Sequence, residues 1–203
     1  QNLTTITGIT YEPALLIDRQ SYFQDLYTAL GAINISGNYI TAAGLGLTFN
    51  RTEGQIWRMN ANATNDYQNP NLLSCTGATP QVFKYEYQLT PPASWVVGPP
   101  TTDVDPNYWD DGSGTLAAVT SGYYTIQRVY VAANASGIPN VYLTYGQAQY
   151  STYSDAINGI GTENPNLDPS VKDFVLRAYF VLQQGTIDLQ DTVNACLLYT
   201  SDA

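Results

Sequence analysis

The chain has 203 residues, 44% of them apolar and only 12% charged, with 17 acidic against 7 basic side chains and a formal net charge of −10. So few cations give a nucleic-acid backbone no counterion-releasing face, and no run approaches the ~20 consecutive apolar residues that a helix needs to span a bilayer. There is no histidine, no phosphate-cradling glycine loop and no zinc-type ligand set, so no catalytic residue and no cofactor is expected and carboxylate chemistry alone remains open.

The charged share is about half that of an ordinary soluble domain. Thr, Ser, Asn, Gln, Tyr and Gly fill the polar positions instead. Such a surface repels its copies weakly and loses water at little cost, which makes self-assembly physically easy.

Residues 2–10 are rich in Thr and Ile and read as a strand ending at Glu12-Pro13. It has no obvious hairpin partner. It reads either as a plain edge strand or as a segment donated to a neighbouring copy through Leu3, Ile6 and Ile9. Tyr22, Phe23, Leu26, Tyr27 and Leu30 recur at helical spacing behind Ser21 and before Gly31, which predicts a short helix over 22–30. From 38 to 88 short runs alternate with Gly, Asn and Pro: ITAAG, GLTFN, GQIWRMN, LLSC and VFKYEYQ. In the last of these, charged residues alternate with Val82 or Phe83, predicting one wet and one buried face.

The segment 91–121 is rich in Pro, Thr, Asp and Gly and reads as a connection between a β-rich region at 1–90 and a compact β module at 122–195. In that module we expect strands over 122–132, 140–146 and 174–183. A short helix near 152–158 is expected behind the capping pair Thr152 and Asp155. In GYYTIQRVYV both faces carry bulk, as in a sheet covered by its own domain on one side and a neighbour on the other. The expected fold is mainly β, an antiparallel β-sandwich or barrel-like arrangement with one or two short helices.

Four stretches of the second half, TTDVDPNYWDDGSGTLAAV, YTIQRVYV, VYLTYGQAQYSTYSDAINGI and FVLRAYFVLQQGTIDLQD, together with GLGLTFNRTEGQIWRMNANATNDYQNPN at 44–71, resemble modules of bacteriophage and environmental-virus tail-fibre-type structural proteins. The resemblance covers well over half the chain in order and spacing and carries no catalytic signature. It implies a β-structured fibre module at an extracellular or virion surface that joins other copies of itself, as a trimer or a helical filament. The rival expectation is a host- or glycan-binding adhesin.

Residues 196–203, CLLYTSDA, resemble the translation of a transposon-type sequencing adapter. On that reading Cys75 is the chain's own cysteine and no intrachain disulfide forms. Read instead as an ordinary strand with Leu197 and Leu198 inward, the tail leaves a Cys75–Cys196 bridge open.

Asp103, Asp105, Asp110 and Asp111 are the candidates for calcium, since they bring several oxygen anions into one stretch; the alternative is a set of Asx turns. Among 17 tyrosines, Tyr142, Tyr145, Tyr150 and Tyr153 are expected to divide between core and subunit contact, with sugar stacking as the alternative use of such rings. Asn-X-Ser/Thr sequons stand at Asn2, Asn34, Asn50, Asn62 and Asn134, each a glycan site if the chain passes an export route that glycosylates.

Overall fold

The computed structural model describes residues 21–22, 25–26, 29, 31–89 and 94–200. The expected strand at 2–10 lies outside them. Contacts divide the chain into a unit at 1–31 and a unit at 32–203. In the first, Ser21, Tyr22, Asp25, Leu26 and Ala29 are helical, in line with the helix expected there.

The described residues are mainly β, 41% strand and 11% helix, with several antiparallel sheets and no closed barrel among them. A six-stranded sheet runs in the order β13-β12-β10-β11-β6-β7. Its strands are β6 (Phe83–Gln88), β7 (Trp95–Thr101), β10 (Tyr124–Ala132), β11 (Asn140–Thr144), β12 (Val175–Gln183) and β13 (Ala195–Tyr199). All its neighbours are antiparallel except β11 and β6, which pair in parallel. A three-stranded sheet joins β1 (Ile33–Gly37), β4 (Gly54–Trp57) and β5 (Leu72–Cys75), and β2 (Ile40–Ala42) pairs with β3 (Phe49–Arg51). The ITAAG, GLTFN, GQIWRMN, LLSC and VFKYEYQ runs thus supply β2 to β6.

One face of the large sheet packs on these smaller sheets. Phe83, Val129, Leu143, Phe180 and Leu182 share a core with Ile40, Phe49, Ile56 and Cys75. Phe49 stacks on Phe83 at 5.1 Å and meets Phe180 at 5.3 Å, centroid to centroid, so a single ring joins the small hairpin to both β6 and β12.

The expected break at 91–121 is not found, because that segment supplies β7, β8 (Tyr108–Asp110) and β9 (Leu116–Ala118). Strand β7 sits in the same sheet as the strands of the second half. Backbone pairing across a sheet ignores the composition of the chain between its strands. Both cysteines are free. Cys75 lies in the core between the sheets, while Cys196 packs with Tyr124, Ile126 and Ala156 in a second cluster.

That second cluster covers the other face of the sheet. All nine residues of β10 are buried, and the cover comes from the chain's own helix over Tyr153–Thr162, not from a neighbour as the bulk on both faces suggested. The helix starts where expected: the Thr152 hydroxyl oxygen accepts from Asp155 N at 3.1 Å. The wet face expected on β6 is also covered. Glu86 is 3% exposed, because the segment after the helix is tied across it, with Asn166 donating to Gln147 Oε1 at 2.7 Å and to Gln88 Oε1 at 3.1 Å.

Two buried guanidinium groups close the fold. Arg51 donates to Gln81 Oε1 at 2.8 Å, to Asn38 Oδ1 at 2.7 Å and to the Thr76 carbonyl. Arg177 is the extra residue of a bulge, unpaired between Leu176 and Ala178 opposite β10. The bulge turns its side chain toward the smaller sheets, where it donates to the carbonyls of Gly37 at 3.2 Å and Asn38 at 3.4 Å.

The helix yields a paired expectation. Alanine is favoured over glycine inside a helix by about 1 kcal/mol. A Cβ at Gly161 meets no atom within 4 Å, whereas one at Gly159 falls 2.5 Å from the Tyr150 ring. In thermal or urea unfolding, Gly161→Ala is expected to stabilise by roughly 0.5–1 kcal/mol and Gly159→Ala to destabilise.

Candidate functional site

The calcium candidates do not converge. Asp105 accepts from Asn107 N at 2.9 Å, Asp110 from Gly112 N at 3.0 Å and Asp111 from Ser113 N at 2.9 Å. Each carboxylate thereby closes its own Asx turn. Asp110 is also buried and holds Gln88 N at 2.9 Å, far into the β6 neighbourhood. Among the described residues no group of three or more Asp, Glu, Cys or His is placed to hold a metal ion.

Asp103 and Asp105 instead border a groove of 490 Å³ lined by Tyr85, Tyr87 and Tyr145 and walled by Val97 of β7. Tyr85 and Tyr145 stack at 4.2 Å, and Tyr87 meets Tyr145 edge-on at 6.3 Å. The hydroxyl of Tyr145 donates to Asp105 Oδ2 at 3.2 Å, while Tyr85 accepts from Asp105 N and donates to Gln127 Oε1 at 3.3 Å. Burial, with the neighbouring carboxylate adding to it, holds both phenols protonated well above the usual tyrosine range. The groove therefore offers an apolar floor with an acidic lip.

Of the tyrosines read as subunit contacts, the structure brings most into the chain's own packing. Tyr145 is buried in the core, Tyr142 stacks on Phe174 at 5.1 Å, and Tyr150 packs against the second cluster. Tyr153 is 38% exposed. Leu3, Ile6 and Ile9 lie outside the described residues, as does Asn2. Asn34 is buried, and Asn50 is half-buried with its Oδ1 enclosed. The amide nitrogens of Asn34, Asn62 and Asn134 donate to the carbonyls of Gly37, Leu72 and Ile138 at 3.3, 2.8 and 2.6 Å. A glycan on any of these three nitrogens would displace a bond that holds the local fold.

Sequence reasoning missed a polar row across the covered face of the sheet. Glu86, Thr144, Arg128 and Tyr179 stand side by side in register on β6, β11, β10 and β12. Arg128 pairs with Glu163 at 2.6 Å, both nearly buried, and lies over the Tyr179 ring at 5.9 Å. Oε2 of Glu86, Oγ1 of Thr144, Nη1 of Arg128 and Oε1 of Glu163 are buried without a partner. Burial first, and the Asp168 carboxylate second, push Glu86 up to about 7. The alternation in FKYEYQ was the available signal, but only the strap over β6 makes that carboxylate a buried one.

The sign of the resulting pH dependence follows directly. Glu86 binds its proton more tightly folded than unfolded, so stability is full at low pH and falls as pH rises through the interval up to about 7. Glu86→Gln is expected to flatten that fall, recovering on the order of 1–3 kcal/mol at pH 8 relative to pH 5 in urea titrations. An unchanged pH slope would contradict the placement of the carboxylate.

No family model, no curated protein and no solved structure matches this chain, so the reading of its role rests on the geometry above and the residues that build it.

Proposed function

We propose that the chain is a non-enzymatic structural subunit that self-assembles into an extracellular or virion fibre of the tail-fibre type. The observation that carries this reading is the nature of its surface. Leu45, Ile187, Val193 and Ile138 are 88%, 82%, 70% and 68% exposed, while the cations that would keep copies apart are largely withdrawn. Arg51, Arg128 and Arg177 are buried, and Arg58 pairs with Asp173 at 3.3 Å. Aliphatic side chains this exposed, set among uncharged polar residues, favour association between copies. Sedimentation velocity and negative-stain microscopy on the purified chain at rising concentration are expected to show regular filaments or discrete oligomers.

A second reading, a glycan-binding adhesin, is favoured by the tyrosine groove alone. Its volume of 490 Å³ suits a small ligand, its rings suit sugar faces, and Asp103 and Asp105 at its lip favour neutral over acidic saccharides. Titration of isotope-labelled protein with neutral oligosaccharides is expected to shift resonances of Tyr87 and Val97 and to leave those of the 153–162 helix in place. A chain that remains monomeric at every concentration and binds such a sugar would replace the assembly reading with this one.

A further inference from the structure

The five most exposed aliphatic side chains, Leu45, Ile187, Val193, Ile138 and Val82, fall into two places. The β2–β3 loop presents Leu45 between Gly44 and Gly46, where an added side chain would meet no atom within 4 Å. The β12–β13 connection presents Ile187 and Val193, each next in sequence to a residue of the bond from Thr186 Oγ1 to the Asn194 carbonyl at 3.1 Å. Leu189 N donates to the Gly46 carbonyl at 2.9 Å and joins the two loops. We take these joined loops, with Leu45, Ile187 and Val193 exposed, as an apolar knob; Asp188 and Asp191 of the same connection close its turns on Gln190 N and on Val193 N and Asn194 N.

The second place is concave. A groove of 320 Å³ is lined by Ala78, Val82, Phe83, Pro100, Ile138 and Val141, with Val82 52% and Ile138 68% exposed. Lys84 stands on its wall and makes no ion pair among the described residues.

Strand register separates the two. Tyr124 at the start of β10 pairs with Gln183, from which the knob connection departs, and Ala132 at its end pairs with Asn140, which lines the groove. Across this strand the rise of ~3.3 Å per residue puts the two ends roughly 26 Å apart. A knob and a groove at opposite ends of one sheet suit copies joined head to tail. Such a contact is heterologous, so it propagates unless its rotation closes a ring.

We propose that Leu45, Ile187 and Val193 of one copy seat in the Val82–Ile138 groove of the next, with Asp188 and Asp191 brought toward Lys84, and that repetition of this contact builds the filament. The proposal rests on the self-assembly reading and names its interface. Opposite charge at the two surfaces sets the direction of approach and disfavours knob-to-knob and groove-to-groove pairing.

Two full-length variants test it: a knob variant, Leu45→Asp with Ile187→Asp, and a groove variant, Val82→Asp with Ile138→Asp. All four positions are exposed, so thermal unfolding midpoints close to the unsubstituted chain confirm that both variants fold. Each variant alone is expected to self-associate on the order of a hundredfold more weakly by sedimentation velocity. Mixed, they are expected to form a one-to-one dimer and nothing longer, because one supplies only a groove and the other only a knob. Lys84→Glu is expected to weaken assembly and to pair again with an Asp188→Lys chain, Asp191 being left in place because it holds Val193 N and Asn194 N.

Filaments undiminished in either variant overturn the knob-and-groove contact and leave self-assembly standing. A mixture that stays monomeric overturns the head-to-tail arrangement. An unsubstituted chain that is monomeric at all concentrations overturns both the contact and the assembly reading beneath it.

Discussion

The turn at Gly37–Asn38 is the point on which the two layers of this protein depend. Both residues hold positive φ, and Gly37 leaves no room for a side chain, since a Cβ would lie 2.0 Å from the Glu53 carbonyl. Two guanidinium groups converge on it, Arg51 from the small hairpin and Arg177 from the large sheet. Carbonyls and a carboxamide accept the bonds made at this turn, and burial lowers the pKa of Arg51. Removing one member of such a buried charged network typically costs roughly 3–5 kcal/mol, so the cluster acts as a specific lock between layers that also share the non-directional packing of Phe49, Phe83 and Phe180.

The same economy of charge shapes the outside. The basic residues of the described unit are mostly drawn into the interior or into pairs, Arg51 and Arg177 at the turn and Arg128 with Glu163 beneath the strap. What remains outside is largely neutral and acidic, with Lys84 beside an apolar groove. Burial of arginine inside and scarcity of cations outside are thus two sides of one composition. The helix and strap complete this by covering β10 and the Glu86 position of β6 on the second face of the large sheet.

Much of the fold was legible in local pattern. Alternation and turn residues located β2 to β6 and β10 to β12, and the Thr152–Asp155 pair located the start of the helix, because periodicity and capping act over a few residues. The carboxylates of 103–111 show the limit of that reasoning. Their types and spacing suit a cation, yet Asp105, Asp110 and Asp111 each bend back to their own backbone two residues on, and a choice between these uses is made by chain direction that composition does not specify. The strand at β7 was hidden for the same reason: Pro99 and Pro100 mark a connection by local rules but are tolerated at the edge of a sheet.

By itself, the sequence determined the class of the protein: mainly β, poor in charge, without the histidine or ligand clusters on which most site chemistry draws. Tertiary structure alone decided which charges are buried, that Arg177 turns inward through a bulge, that Glu86 lies under a strap, and which aliphatic side chains from separate stretches are left exposed. The reason is physical. Hydrogen-bond periodicity is a property of neighbours in sequence, whereas burial, and with it the electrostatics and adhesiveness of a surface, is set by segments that meet only when the chain folds.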